Sequence, residues 1–371
     1  MEKKIKSTLR KLKHKKYEGF LLIIRGIEIG IAAGLLCVLY RFLLSKAEEY
    51  LYRIIDYVKN SPAQSALWVF LAAALGAVVA FIIKRVPDAG GSGIPNVTAE
   101  INGHVSACWW KVIIAKLFGS TISVFSGLSL GREGPSIQFG AMAAKGVAKI
   151  TRADSTPELR MIGSGAGAGL AAAFNAPLAG VMFVLEEIYR TFDKAVICMA
   201  VVAAVTADFI SKLFFGQGTV FSYQPETIPL RLYWLLLLFG IIAGVFGAFY
   251  NTFMIALRDL FRKIKKVPQW IKFIFVFAVS GIVGLFLPQV LCGGHTMVQT
   301  LIEDQPSLSV ILALFTAKFI FGAFSFSSGA PGGTLYPMCV LGAYGGAAFA
   351  QAAAGPVSYT HLRAHETGAY I

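Results

Sequence analysis

Residues 20–44, 66–83, 230–257 and 271–291 are apolar runs, each long enough for the roughly 20 residues that carry a helix across a bilayer. Hydrocarbon offers no water to a bare amide or carbonyl, so a chain with several such runs is driven to helices that cross repeatedly. Composition agrees. The 371 residues are 56% hydrophobic and 15% charged, where a soluble domain carries about 25% charged residues. A water-soluble globule is excluded, and an all-α polytopic membrane protein is expected. Eight Lys and Arg lie within residues 1–16, and a second basic stretch spans residues 258–272. Both flank apolar runs, so the positive-inside rule puts the amino terminus and that loop in the cytoplasm. The net charge of +14 then reports topology and no nucleic-acid partner. Residues 1–18 read as a basic amphipathic segment on the membrane surface. Further spans follow, so the first run is no cleaved signal. The five cysteines, Cys37, Cys108, Cys198, Cys292 and Cys339, stand singly in apolar sequence. They read as small buried hydrophobes, and no metal or cofactor is implied.

Two series of apolar segments, residues 19–215 and 230–355, are separated by a polar linker at 216–229. Shifted by 202 residues, the chain aligns with itself at Ala115, Lys116, Ser123, Ser126, Gly127, Gly131, Pro135, Gly140 and Ala141, giving nine identities in 27 columns. The shared order S-G-x3-G-x3-P-x4-G-A marks an internal duplication. Transporters built this way bind their substrate between the repeats. On this register the second repeat is incomplete. Residues 356–371 are polar and without apolar periodicity, and are expected to be a non-native tail outside the fold.

Three clusters interrupt the apolar sequence: Gly90-Gly91-Ser92-Gly93-Ile94-Pro95, Gly131-Arg132-Glu133-Gly134-Pro135 and Gly332-Gly333-Thr334-Leu335-Tyr336-Pro337. Each breaks a helix, and its backbone must be buried in protein or line a wet cavity. In each, a proline follows the glycines and opens an apolar stretch, the order of a new helix start. A helix start has free N–H groups and a positive dipole end, so three of them would form an anion site if they converge. Gly163, Gly165, Gly167 and Gly169 fit close helix packing instead. Glu133 beside Arg132 is an ionisable residue at membrane depth, which points to function. Glu186-Glu187 is a second acidic point; on a helix one carboxylate would face solvent and the other, about 100° round, the bundle.

Together these motifs resemble the CLC family of chloride channels and proton-coupled chloride transporters. The resemblance rests on Gly91 to Pro95, Gly131 to Pro135, the run from Ala171 to Pro177 leading to Glu186-Glu187, and Ser328 to Gly333 ending at Pro337. It implies two inverted repeats of tilted and broken helices and a homodimer in the cell membrane. It implies that Ser92, Gly93 and Ile94, with the amides of Thr334 and Leu335, hold chloride centrally. Arg132 to Gly134 would line the outer site. Glu133 would be the gating and proton-accepting glutamate, and Glu187 the inner proton-transfer glutamate whose presence favours an exchanger over a passive channel. Serine at Ser92 resembles the chloride-selective form. Leu335 stands where the family usually has phenylalanine. The tyrosine that completes the central site belongs to later helices, so Tyr359 and Tyr370 receive no such role. A reading from another class is an intramembrane serine protease with Ser92 in a G-x-S-G pattern and His104 or His295 as base. It leaves Glu133 and the duplication unexplained.

Overall fold

The computed structural model describes residues 2–218, 229–264 and 266–354, with backbone only for residues 2–18, 231 and 354. Residues 356–371 lie outside the described residues. The described chain is helical: α1 (Glu2–Val58), α2 (Pro62–Arg85), α3 (Ile94–Ile101), α4 (Trp109–Phe125), α5 (Glu133–Ile150), α6 (Ser155–Phe174), α7 (Pro177–Phe183), α8 (Lys194–Phe215), α9 (Tyr233–Lys263), α10 (Gln269–Phe286), α11 (His295–Glu303), α12 (Leu308–Ser327) and α13 (Leu335–Ala354). Six of these are long and apolar enough to span a membrane: α1 from Gly19 onward, α2, α8, α9, α10 and α12. Local chemistry sets many of the boundaries. Prolines open α2, α3 and α7, where a missing N–H costs nothing. The Asp193 side chain accepts from Ala195 N (2.9 Å) at the start of α8.

The 202-residue register reappears as geometry. α2 to α5 recur as α10 to α13. Each α3-type helix follows a single tight turn, Pro87–Ala89 or Pro288–Val290. Each then starts on a left-handed glycine, Gly93 (φ 91°) or Gly294 (φ 93°). Gly127 and Gly329 leave α4 and α12 with φ of 85° and 83°. The equivalent helices α2 and α10 pack on each other, with Gly76 under Phe277 and Val79, Val276 and Phe273 in one cluster. Gly131 and Gly333, 202 residues apart, exchange both backbone hydrogen bonds at 2.8 Å in an antiparallel bridge. Equivalent segments therefore meet in opposite directions about a local two-fold axis.

The small residues of α5 and α6 serve packing, as their spacing indicates. A Cβ on Gly165 would strike the Gly140 carbonyl, one on Gly169 the Ser136 carbonyl, one on Gly167 the Gly180 carbonyl, and one on Gly163 the Tyr189 ring. In the first repeat α6 lies against α3 and α5. The corresponding face of the second repeat, between α11, α12 and α13, is an open apolar cavity of about 780 Å³ lined by Val298, Ile302, Ala343 and Ala347. The cysteines split against expectation. Cys37 and Cys292 are buried, but Cys108 and Cys339 are exposed, because each sits at or near the start of a helix whose outward face the described residues do not cover.

Candidate functional site

The three glycine clusters converge, and the main chain shows how. Gly91 N donates to Gly329 O (3.0 Å) and Gly332 N donates to Gly91 O (3.1 Å), so the first and third clusters are bonded together. The second joins the third through the Gly131–Gly333 bridge. The first abuts the second because Ser92 lies on Gly134, where a Cβ would overlap its backbone. Gly93 lies against Gln138, whose Nε2 donates to Asp88 O (2.7 Å). Asn96 Nδ2 donates to the same carbonyl (2.6 Å). The starts of α3, α5 and α13 thus meet in one place.

Glu133 occupies that place. It is 2% exposed, and its Oε1 accepts from Leu335 N at 2.5 Å. The Tyr336 amide and its own amide also face the carboxylate. A carboxylate from the start of α5 therefore caps the first amides of α13, using the donors and the dipole end that favour an anion. Oε2 is buried without a hydrogen-bond partner. Gly131 and Gly333 lie against the carboxylate, and a Cβ on either would collide with it. Neither has positive φ, so contact with Glu133, rather than backbone conformation, explains glycine at both positions.

Other expected residues are placed as follows. Ser92 and Ile94 are half-buried and Gly93 and Gly134 buried at the starts of α3 and α5. Thr334 is half-buried, and its carbonyl accepts from Met338 N (3.0 Å). The Leu335 side chain is 45% exposed, so the contribution of this residue is its amide. Arg132 is half-buried, its guanidinium carbon 5.6 Å from the Tyr336 ring centre. The Glu186-Glu187 pair differs from expectation in how its side chains point. Residues Val184–Tyr189 form a widened π-type turn, and both Glu186 and Glu187 are exposed. The wide turn changes the angle that an α-helix would impose, and neither carboxylate is turned into the bundle. The protease reading fails on geometry. His104 is exposed beyond the far end of α3 from Ser92, and His295 Nδ1 is hydrogen-bonded to the Tyr336 hydroxyl (3.2 Å).

The sequence reading missed two sets of residues. Lys116 and Lys318, equivalent in the duplication, are fully buried. Lys116 Nζ donates to Gly91 O (2.7 Å), and Lys318 Nζ donates to Val290 O and Cys292 O (both 2.9 Å). Each ties down the loop before its repeat's short helix, and their identity in the 202-residue alignment was the available signal. The second set, Arg41, Ser45 and Glu48, joins Arg132, His295 and Tyr336 in the wall of a vestibule of about 340 Å³ in front of Gly131. Arg41 Nη1 donates to Ala172 O (3.0 Å), Asn175 Oδ1 (3.2 Å) and Ser211 Oγ (2.6 Å), joining α1, α6 and α8 behind the vestibule.

Comparison with known proteins agrees with this geometry. The H(+)/Cl(-) exchange transporter ClcA of Cronobacter sakazakii is 31% identical over 369 residues, covering 96% of this chain and 79% of that protein. ClcA of Vibrio vulnificus is 34% identical over 343 residues, covering 89% of this chain and 72% of that protein. A crystal structure of a slow cyanobacterial Cl-/H+ antiporter superposes with a TM-score of 0.83 at 26% identity, over 89% of this chain and 79% of that one. The family described as voltage gated chloride channel matches residues 75–370, a span that includes most of the polar stretch at 356–371. The chain is a multi-pass membrane protein and belongs to the voltage-gated chloride channel family.

Proposed function

We infer that this chain exchanges chloride for protons across a membrane, with the Glu133 carboxylate as the group on which both ions act. The carrying observation is the 2.5 Å hydrogen bond from Leu335 N to Glu133 Oε1, in which a carboxylate takes the place suited to an anion. Chloride and the carboxylate compete for the same N–H groups. A proton taken up on Oε2, the oxygen without a partner, removes the charge and weakens the hold on the Leu335 amide. The side chain then leaves and chloride takes the amides. When the proton departs on the other side, the carboxylate returns and displaces chloride, so the two ions move in opposite directions.

We assign the anion path to Ser92, Gly93, Ile94, Arg132, Gly134 and the amides of Thr334 and Leu335. The packing of Ser92 on Gly134 and the meeting of three helix starts support it. Glu187 is assigned to inner proton transfer, supported by its exposure on the widened turn. The working unit is assigned as a homodimer in the cell membrane with a cytoplasmic amino terminus; the basic stretches support that orientation. The test is purified protein in liposomes under an imposed chloride gradient. Uphill proton movement is expected. Chloride flux without protons would leave a channel instead, and no chloride flux would reject the reading.

A further inference from the structure

The vestibule holds a second carboxylate that the exchange cycle does not use. Glu48 lies on α1, three residues after Ser45 and seven after Arg41, and these three line the cavity from one helix face. Among the described side chains of α1 the other carboxylates are paired: Glu28 with Arg25, Glu49 with Lys46 and Arg53, and Asp56 with Lys59. Glu48 makes no hydrogen bond or salt bridge with the described residues. Its electrostatic partners are Arg132, across the cavity, and Lys318. Arg132 in turn acts on Glu133. Arg132 therefore shares the vestibule wall with one carboxylate and adjoins in sequence a second, the one in the anion site. The remaining titratable groups facing Glu48 are Tyr52 on its own helix, Cys292 before α11, and His295 and Tyr336 across the cavity.

The cavity wall carries two guanidinium groups and a single carboxylate. Arg41 Nη1 is committed to three acceptors, whereas the half-buried Arg132 guanidinium, its Nε included, donates to none of the described residues, so Arg132 is the cation open to a passing anion. A conduction path must attract an ion without trapping it. We propose that Glu48 sets the charge of the vestibule: acting on Arg132, it weakens anion retention there and eases the release of Glu133 from its amides. It is a positioning residue, and its role in gating rests on the exchange cycle inferred above. The sign follows from charge alone. Without Glu48, Arg132 is unopposed, chloride binds more tightly from the vestibule, and the ionised form of Glu133 is favoured. Exchange then needs a lower pH.

The test compares the parent protein with E48Q, E48D, S45K and S45D in liposomes at low ionic strength, with chloride and pH varied on the vestibule side. E48Q is expected to lower the chloride KM roughly threefold to tenfold, a range set by one partly screened charge, and to move the pH of half-maximal exchange downward. E48D should stay near the parent. Ser45 is exposed in the same wall, so S45K should mimic E48Q and S45D oppose it, which keeps the test decisive if E48Q fails to fold. In an E133Q background the KM effect should persist and the pH effect vanish. Unchanged KM and pH midpoint in both E48Q and S45K would overturn the proposal, as would effects that do not shrink in high salt. Proton coupling retained by E133Q alone would instead sink the gating role of Glu133, whatever Glu48 does.

Discussion

Gly131→Ala isolates the competition between carboxylate and anion without touching a charged group. Gly131 has no positive φ, so alanine can adopt its backbone and keep the paired hydrogen bonds to Gly333. The new Cβ would lie 2.8 Å from the Glu133 carboxylate carbon, far inside van der Waals contact. Overpacking of this kind costs about 1–3 kcal/mol, and here the cost falls only on the state with the carboxylate seated. Since about 1.4 kcal/mol is tenfold in an equilibrium, the apparent affinity for chloride at neutral pH should rise roughly fivefold to 150-fold. The assay is chloride binding to purified protein by calorimetry, with proton-coupled flux in liposomes beside it. Affinity should rise and coupling weaken in Gly131→Ala. In a Glu133→Ala background, where nothing remains to collide with, the same substitution should change affinity little. An unchanged affinity in the first background, or an equal gain in both, would refute the argument that Glu133 and chloride exclude one another.

Other expectations concern the support of the site. Lys318→Met should leave the carbonyls of Val290 and Cys292 without their donor, at about 1–3 kcal/mol, read as a lower Tm in detergent. Lys116→Met should do the same to Gly91, with a loss of transport as well because Gly91 bonds to both Gly329 and Gly332. The buried pair of Lys145 and Glu100 joins α5 to α3; Glu100→Gln should cost about 3–5 kcal/mol by removing the counter-charge of Lys145, whose Nζ keeps Ala107 O as acceptor. Replacing both partners by apolar residues should recover much of that Tm. Glu187→Leu should leave chloride flux in place while proton flux falls.

The 202-residue register and the three glycine clusters were legible because both are local patterns: a repeated order of small residues, and a proline after glycines. Convergence was not, since no local pattern records that Gly91 bonds to Gly329 and Gly332. Lys116 and Lys318 were visible as identities but silent about role, because their partners are main-chain carbonyls that carry no side-chain signature. The vestibule was harder still. Arg41, Glu48, Arg132, His295 and Tyr336 come from distant parts of the chain, and only Arg132 and Tyr336 sit in recognisable motifs. Glu186-Glu187 shows the opposite failure, in which a correct helical rule was applied to a turn that is wider than an α-helix.

The duplication also explains why the site holds one carboxylate. Glu133 and Leu335 are equivalent positions, 202 residues apart, and the hydrogen bond between them spans that same separation. Because the axis passes between Gly131 and Gly333, whatever lies next to it meets its own counterpart. Two glutamates there would press like charges into one buried space, which a low dielectric makes costly. The repeats have diverged at these columns. The first supplies the charged pair Arg132 and Glu133; the second supplies the Leu335 amide and the Tyr336 ring beneath the guanidinium. On the cycle proposed above, one half provides the mobile anion and the other the seat it shares with chloride. Exchange of one ion against the other would follow from that division, since carboxylate and chloride would compete for one seat at the axis.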